Sequence, residues 1–288
     1  MRVAIVSREP EVRLCAARAF EAAPLSWEVS IHDEAPSGAD VVVLGPDVEG
    51  PPGALRFDPS DPAGIVAEVT EAVAEAGRVI AVMGAGGGVG ATTLSLHLAR
   101  ELAQRTRTCL LDLDTRWGLR DRLNLPPDAL TWAGADGDPS ACALPVPGGF
   151  RVMLAPRGSF DLDADALISG ARRAFDRVVV DVAGHGEEAL HRSDAGVLVM
   201  APTAPGARRA RAVLERLPDI PWAVVVNATG PGGETMRAEM QEILGRRIST
   251  ELPCTAALRD AEGEGRLFEG AWSRWQRRVA RLARALQR

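Results

Sequence analysis

The sequence predicts an α/β protein in two parts: a small α/β unit over residues 1–77 and a larger, doubly wound unit with a mostly parallel sheet over residues 78–288. Three observations carry this. Runs of Val, Ile and Leu recur along the second part without polar alternation, as strands buried on both faces of a parallel sheet require. Helical patterns separate most of those runs. A glycine-rich turn, Gly84-Ala-Gly-Gly-Gly-Val-Gly, joins the first run to an amphipathic helix.

The small unit opens on the strand RVAIVS, followed by a helix from Glu9 to Ala22 with Pro10 in its first turn. Short strands are expected at SWEVSI and ADVVVLG, and Gly45 to Pro62 reads as mostly loop. DPAGIVAEVTEAVAEAG closes the unit as a helix, with Asp61 as its cap and Pro62 at its first position. In the larger unit the strands are VIAVMG, CLLDLD, RVMLAP, RVVVDV, GVLVMAP, AVVVNATG and ISTELP. The Pro/Gly/Ala-rich stretch from Pro126 to Phe150 reads as loop.

Composition narrows the function. A chain of 288 residues that is 46% hydrophobic and 25% charged supports a sizeable core. Its net charge of −6 argues against broad nucleic-acid binding. Four cysteines without C-x-x-C spacing and four histidines without H-E-x-x-H predict no disulfide framework and no zinc site. The start MRVAIVSREP is charged too early for a signal peptide, and no apolar run reaches about 18 residues, so a cytoplasmic chain is expected. The chain contains no lysine, so all 33 basic residues are arginines.

Strand, glycine loop and helix form an arrangement that aims backbone N–H groups at an anion. The loop resembles the deviant Walker A motif of the ParA/MinD family, K-G-G-x-G-K-[ST]-T. Gly87, Gly88, Val89, Gly90, Thr92 and Thr93 match it, while Gly86 and Ala91 stand where the two lysines would be. LLDLDTRWGLRDRLNL resembles the family's switch I, which implies Asp112 and Asp114 near a Mg²⁺ ion and the attacking water. RVVVDVAGHG resembles its Walker B strand and switch II, with Asp181 near the metal and Gly184 beyond. VVVNATG and ELPCTAALRDAEGEG resemble its base-contacting segments, placing Asn227 and Pro253 beside adenine. The resemblance therefore implies a MinD-like P-loop domain. Phosphate would be held by Gly87, Gly88, Val89, Gly90, Ala91, Thr92 and Thr93. Mg²⁺ would be held by Thr92, Asp112 and Asp181, and Asp114 would be catalytic if turnover survives.

IVSREPEVR resembles the opening of receiver domains. Ser7 and Arg8 stand at the two metal-binding acids, and Gly45 at the phospho-acceptor aspartate. The small unit is thus a degenerate receiver-like domain, unable to take a phosphate at the usual site. A degenerate receiver before a MinD-like domain is similar to the CpaE/TadZ group, in its actinobacterial branch. That group positions Flp/Tad pilus or secretion machinery, and the branch includes a septum site-determining protein. The implied partners are a second copy of the chain and a secretion or pilus ATPase complex or division machinery, not DNA. The implied place is the inner membrane face, a cell pole or the septum.

A missing charged hydrogen bond to phosphate costs roughly 1.5–3 kcal/mol, about 10- to 150-fold in affinity. ATP and Mg²⁺ binding therefore remains feasible. Turnover is hit harder, because a cationic finger is worth about 10³–10⁵ in rate. Arg116 and Arg120, just after the switch I segment, are the arginines expected to compensate in part. The rival expectations are a slow MinD-like ATPase switching between monomer and dimer, and a ParA-like DNA partition protein. Finally, Trp272, Trp275, Val279, Leu282 and Leu286 form an apolar stripe opposite five arginines, which suits either the domain's own last helix or membrane contact through 271–288.

Overall fold

Apolar runs and helical segments fold into two sheets in a computed structural model. It describes residues 2–23, 27–51, 54–75, 77–115, 118–134, 139–158, 163–182, 186–229, 233–263, 266–268 and 273–287. The chain divides into two units, Met1–Gly77 with Asp163–Arg173, and Arg78–Leu162 with Ala174–Arg288.

Unit 1 contains β1 (Arg2–Val6), α1 (Pro10–Ala19), β2 (Glu28–His32), β3 (Val41–Leu44), β4 (Leu55–Arg56) and α2 (Ile65–Glu75). Its four strands pair in parallel in the order β2-β1-β3-β4, over a core that includes Val3, Ile5, Phe20, Val43 and Val69. Pro10 opens α1 behind Glu9, and Phe20–Ala22 tighten into a 3₁₀ turn. Asp61 and Pro62 do not start α2. The Asp61 N–H closes a turn onto Asp58 O (3.1 Å), and the first helical bond runs from Glu68 N–H to Gly64 O (3.0 Å). The short β4 lies within the stretch expected as loop.

The larger unit contains β5 (Arg78–Gly84), α3 (Ala91–Ala103), β6 (Thr108–Asp112), α4 (Gly118–Arg122), β7 (Leu144–Pro145) and β8 (Arg151–Met153). After α5 (Ala164–Ala174) come β9 (Arg177–Val182), α6 (Glu187–His191), β10 (Ala195–Met200), α7 (Ala204–Leu214) and β11 (Trp222–Thr229). α8 (Gly233–Leu244), β12 (Thr250–Pro253), α9 (Ala256–Gly263) and α10 (Ser273–Leu286) complete it. All seven expected strands form and, with β7, lie in the order β12-β11-β10-β5-β9-β6-β8-β7. Every pairing is parallel except β7 with β8. β7 falls in the expected loop, and its Pro145 suits an edge strand, where a missing donor is tolerated. Most of α5 belongs to unit 1, where Asp165 pairs with Arg2 and Arg172 O accepts the Gly77 N–H (2.9 Å).

α10 settles how its stripe is used. Trp275, Val279, Leu282 and Leu286 are all buried. The Trp275 ring stands edge-on to His97 of α3 at 4.7 Å, and Phe268 packs on the same histidine at 5.5 Å. Arg274, Arg277, Arg281 and Arg284 face solvent, and Arg278 donates to Glu251 O. The membrane contact expected through 271–288 therefore finds no free apolar stripe among the described residues, because these four side chains are in the core. Trp272 lies outside those residues. Among the described residues no helix is long and apolar enough to cross a membrane.

Candidate nucleotide site

The parallel strands β5, β6, β9, β10, β11 and β12 end at one edge of the sheet, where ligands of open α/β sheets bind. β5 runs straight into the glycine loop, and α3 begins at Ala91. Gly88 (φ 71°) and Gly90 (φ 89°) adopt left-handed backbone, which a side chain would strain. A Cβ at Gly87 or Gly88 would meet no atom within 4 Å, so this part of the loop presents bare backbone to open space.

The loop is held from both sides. The Ala85 N–H bonds Val199 O of β10 (2.8 Å). Asn227 Nδ2 donates to Val89 O (2.8 Å) and lies 2.3 Å from where a Cβ on Gly90 would stand. The β11–β12 register shifts between Val226 and Thr229, and Ala228 takes φ 61°, an uncommon conformation for alanine. This bulge directly follows Asn227, whose amide reaches the loop. Pro253 ends β12 opposite Thr229, on the same edge. Gly90→Ala combines a left-handed alanine with a collision at Asn227. It is expected to lower Mg-ATP affinity about tenfold or more, read by calorimetry.

Behind the loop lies an acidic pocket. Asp112 and Asp181 are register partners on β6 and β9, each 2% exposed. Ser95 Oγ donates to Asp181 Oδ1 (3.0 Å), and the Thr92 hydroxyl reaches the same carboxylate. Asp181 Oδ2 is buried with no well-aligned donor among the described residues. Asp112 Oδ1 accepts the Asp114 N–H (2.9 Å). Burial pushes the Asp112 carboxyl up to about 7, with a further push from Asp181. Burial likewise takes Asp181 up to about 6, with Asp114 adding to it and the two hydroxyls opposing.

This pocket suits a cation. An orphaned, buried carboxylate oxygen beside a helix-start hydroxyl is what a Mg²⁺ shared with phosphate would use, with Thr92, Asp112 and Asp181 holding it. No group of three or more His, Cys, Asp or Glu among the described residues forms a metal cage. Bound Mg²⁺ would thus draw further ligands from phosphate and water.

Two charged residues here, Arg122 and Glu262, lie inside motif-like segments, yet no motif position assigns them a role. Arg122 of α4 pairs with Glu262 of α9 and donates to Thr93 Oγ1 (3.4 Å), while Thr93 donates to Glu262 Oε1 (2.9 Å). Desolvation lowers the Arg122 pKa, while Asp181 and Asp114 act in the opposite direction, so the guanidinium lies within the field of the acidic pocket. Arg120, expected near the phosphates, instead donates to the carbonyls of Pro126, Pro127 and Ala129 and fixes the following loop. Arg116 and Gly184 fall outside the described residues.

In unit 1 the space beside Gly45 is filled. A Cβ on Gly45 would lie 2.6 Å from Asp47 Oδ1 and 2.9 Å from Ser7 Cβ. Asp47 accepts from Ser7 Oγ (2.7 Å) and from the N–H groups of Arg8 (2.6 Å) and Glu9 (3.2 Å), anchoring the entry to α1.

Comparison with known proteins agrees with this geometry. Residues 80–268 match the family model described as the CobQ/CobB/MinD/ParA nucleotide binding domain. An uncharacterized protein of Mycobacterium tuberculosis strain H37Rv is 29% identical over 297 residues, covering 93% of this chain and 75% of that one. The MinD of a MinC:MinD cell division complex from Aquifex aeolicus superposes with TM-score 0.60 at 20% identity, covering 73% of this chain and 96% of that one. The septum site-determining protein MinD from Pyrococcus horikoshii, complexed with Mg-ADP, gives 0.58 at 15% identity, with 73% and 96% covered. At such identities the structural matches establish the fold.

Proposed function

This chain belongs to the CobQ/CobB/MinD/ParA nucleotide-binding domain family, and from that premise we propose that it is a nucleotide-responsive spatial regulator, a switch with little or no motor. Its role resembles that of the CpaE/TadZ group: positioning pilus, secretion or division machinery through dimerisation and docking of a protein partner. The observation that carries this reading is the pairing of an open glycine cradle with an orphaned Asp181 oxygen, in a loop whose residues 86 and 91 carry no ammonium group. Backbone donors, the start of α3 and a Mg²⁺ shared with phosphate supply binding. Mg²⁺, when bound, supplies charge neutralisation for the phosphates. The chain's own residues hold that charge in place and leave the reacting end without the lysine that a fast family ATPase brings.

Calorimetry of Mg-ATP with light scattering on the same samples tests this. The expected result is binding between micromolar and millimolar with a monomer-to-dimer shift. No binding at millimolar Mg-ATP would overturn the nucleotide-responsive reading. A second reading, a slow MinD-like ATPase, is favoured by Arg122 at Thr93 in the pocket. Multiple-turnover hydrolysis abolished by Asp114→Ala would select it.

A further inference from the structure

Position 86 is vacant of any side chain, and the space beside it is already taken. A Cβ on Gly86 would stand 2.6 Å from Arg209 Nη1, 3.3 Å from its Cδ and 3.6 Å from its Cζ. The guanidinium of Arg209 therefore lies over the loop where a residue-86 side chain would begin. A side chain at 86, lysine included, would meet the far end of this exposed, flexible arginine and displace it. Glycine at 86 and arginine at 209 are one arrangement.

The route by which Arg209 arrives there is firmly built. β10 lies beside β5, and Val199 O holds the Ala85 N–H, so the end of β10 and the start of the loop are fixed together. α7 then starts at Ala204, capped by Thr203 Oγ1, which accepts the Gly206 N–H (3.1 Å). Ala207 and Ala210 pack α7 into the core, and Arg209 points outward between them. Arg209 has no carboxylate partner among the described residues; its helix neighbour Arg211 pairs with Glu215. The guanidinium, exposed and beside Gly86 at the start of the bare loop, is placed to take an anion there.

We infer that Arg209 is the phosphate-binding cation of this loop, supplied from α7 in place of the lysine absent at residue 86. This rests on the nucleotide-binding reading above and specifies its ligand end: a phosphate chain on a nucleotide, gripped by a planar fork from the neighbouring helix. The planar fork takes two phosphate oxygens through parallel N–H groups, where an ammonium acts as a compact point charge.

The test uses the full chain and four forms: wild type, Arg209→Ala, Gly86→Lys, and Gly86→Lys combined with Arg209→Ala. Mg-ATP and adenosine are titrated by calorimetry, with melting curves alongside. Arg209→Ala is expected to weaken Mg-ATP about 10- to 150-fold while leaving adenosine binding and melting unchanged. Gly86→Lys alone is expected to displace the guanidinium and to hold Mg-ATP through its own ammonium. In the Gly86→Lys background Arg209→Ala is expected to change Mg-ATP affinity little, the non-additivity that a shared space and a shared ligand produce. Wild-type affinity in Arg209→Ala would overturn this inference and leave the nucleotide-responsive reading standing. Failure of the wild type itself to bind millimolar Mg-ATP would overturn both.

Discussion

Trp275→Ala is expected to cost the larger unit about 3–5 kcal/mol, a drop in melting temperature of roughly 10 °C or more. The indole is 2% exposed and stands edge-on to His97, with Val279, Leu282 and Leu286 continuing the same buried row along α10. Removing it opens a cavity between α10 and α3 that neighbouring side chains only partly close. Removing residues 273–288 altogether exposes the α3 face beneath and is expected to yield an aggregating protein. If α10 were instead a detachable lipid anchor, truncation would leave the melting temperature unchanged and abolish liposome co-sedimentation. An unchanged melt for either variant would overturn the structural role assigned to α10.

Asp112→Asn is expected to act in the opposite direction, stabilising the metal-free protein by roughly 2–4 kcal/mol at pH 8. Burial raises this carboxyl to about 7 from an ordinary value near 3.8. The folded state therefore holds its proton more tightly than the unfolded chain. That contribution is fully present below about 3.8 and is lost as pH rises through about 7. At pH 8 the wild type has lost it, whereas asparagine never carries the charge. At pH 4.5 the two proteins are expected to differ little. His97, lowered to about 3 chiefly by burial, works against the fold as pH falls from about 6.5 towards 3. It does so equally in both proteins, while Asp181 responds to the loss of the Asp112 charge, so their difference reports the buried carboxylate pair. Denaturant midpoints at the two pH values check this, with Mg-ATP added in a parallel series. An increment equal at pH 4.5 and pH 8 would show that residue 112 does not carry the pH dependence.

Much of the fold was legible because apolar runs buried on both faces carry little other information. Val79–Val82 and Val178–Val180 announce central strands whatever surrounds them. Failures came where local signals compete. Asp61-Pro62 reads as a helix start, yet the same pair closes a turn onto Asp58, and the helix waits for Gly64. The α10 stripe was ambiguous for a deeper reason: an apolar helix face is the same whether it meets lipid or another helix, and only His97 and Phe268 decide. In the candidate site the loop and the carboxylates lie in motifs tied to strand ends. Arg122 of α4 meets Glu262 of α9, and Arg209 of α7 reaches Gly86, only through tertiary structure, so no local spacing announces these contacts.

The discontinuity of unit 1 also governs the timing of folding during synthesis. Arg2 waits for Asp165, and the Gly77 N–H for the Arg172 carbonyl. At about 5–20 residues per second, the ribosome makes the closing segment many seconds after the four-stranded sheet. β5 is likewise flanked by β9 and β10, both made after that segment. Neither half can finish early. The nascent chain carries an unpaired central strand, β5, until β9 and β10 emerge, so a ribosome pause before residue 163 would prolong its exposure.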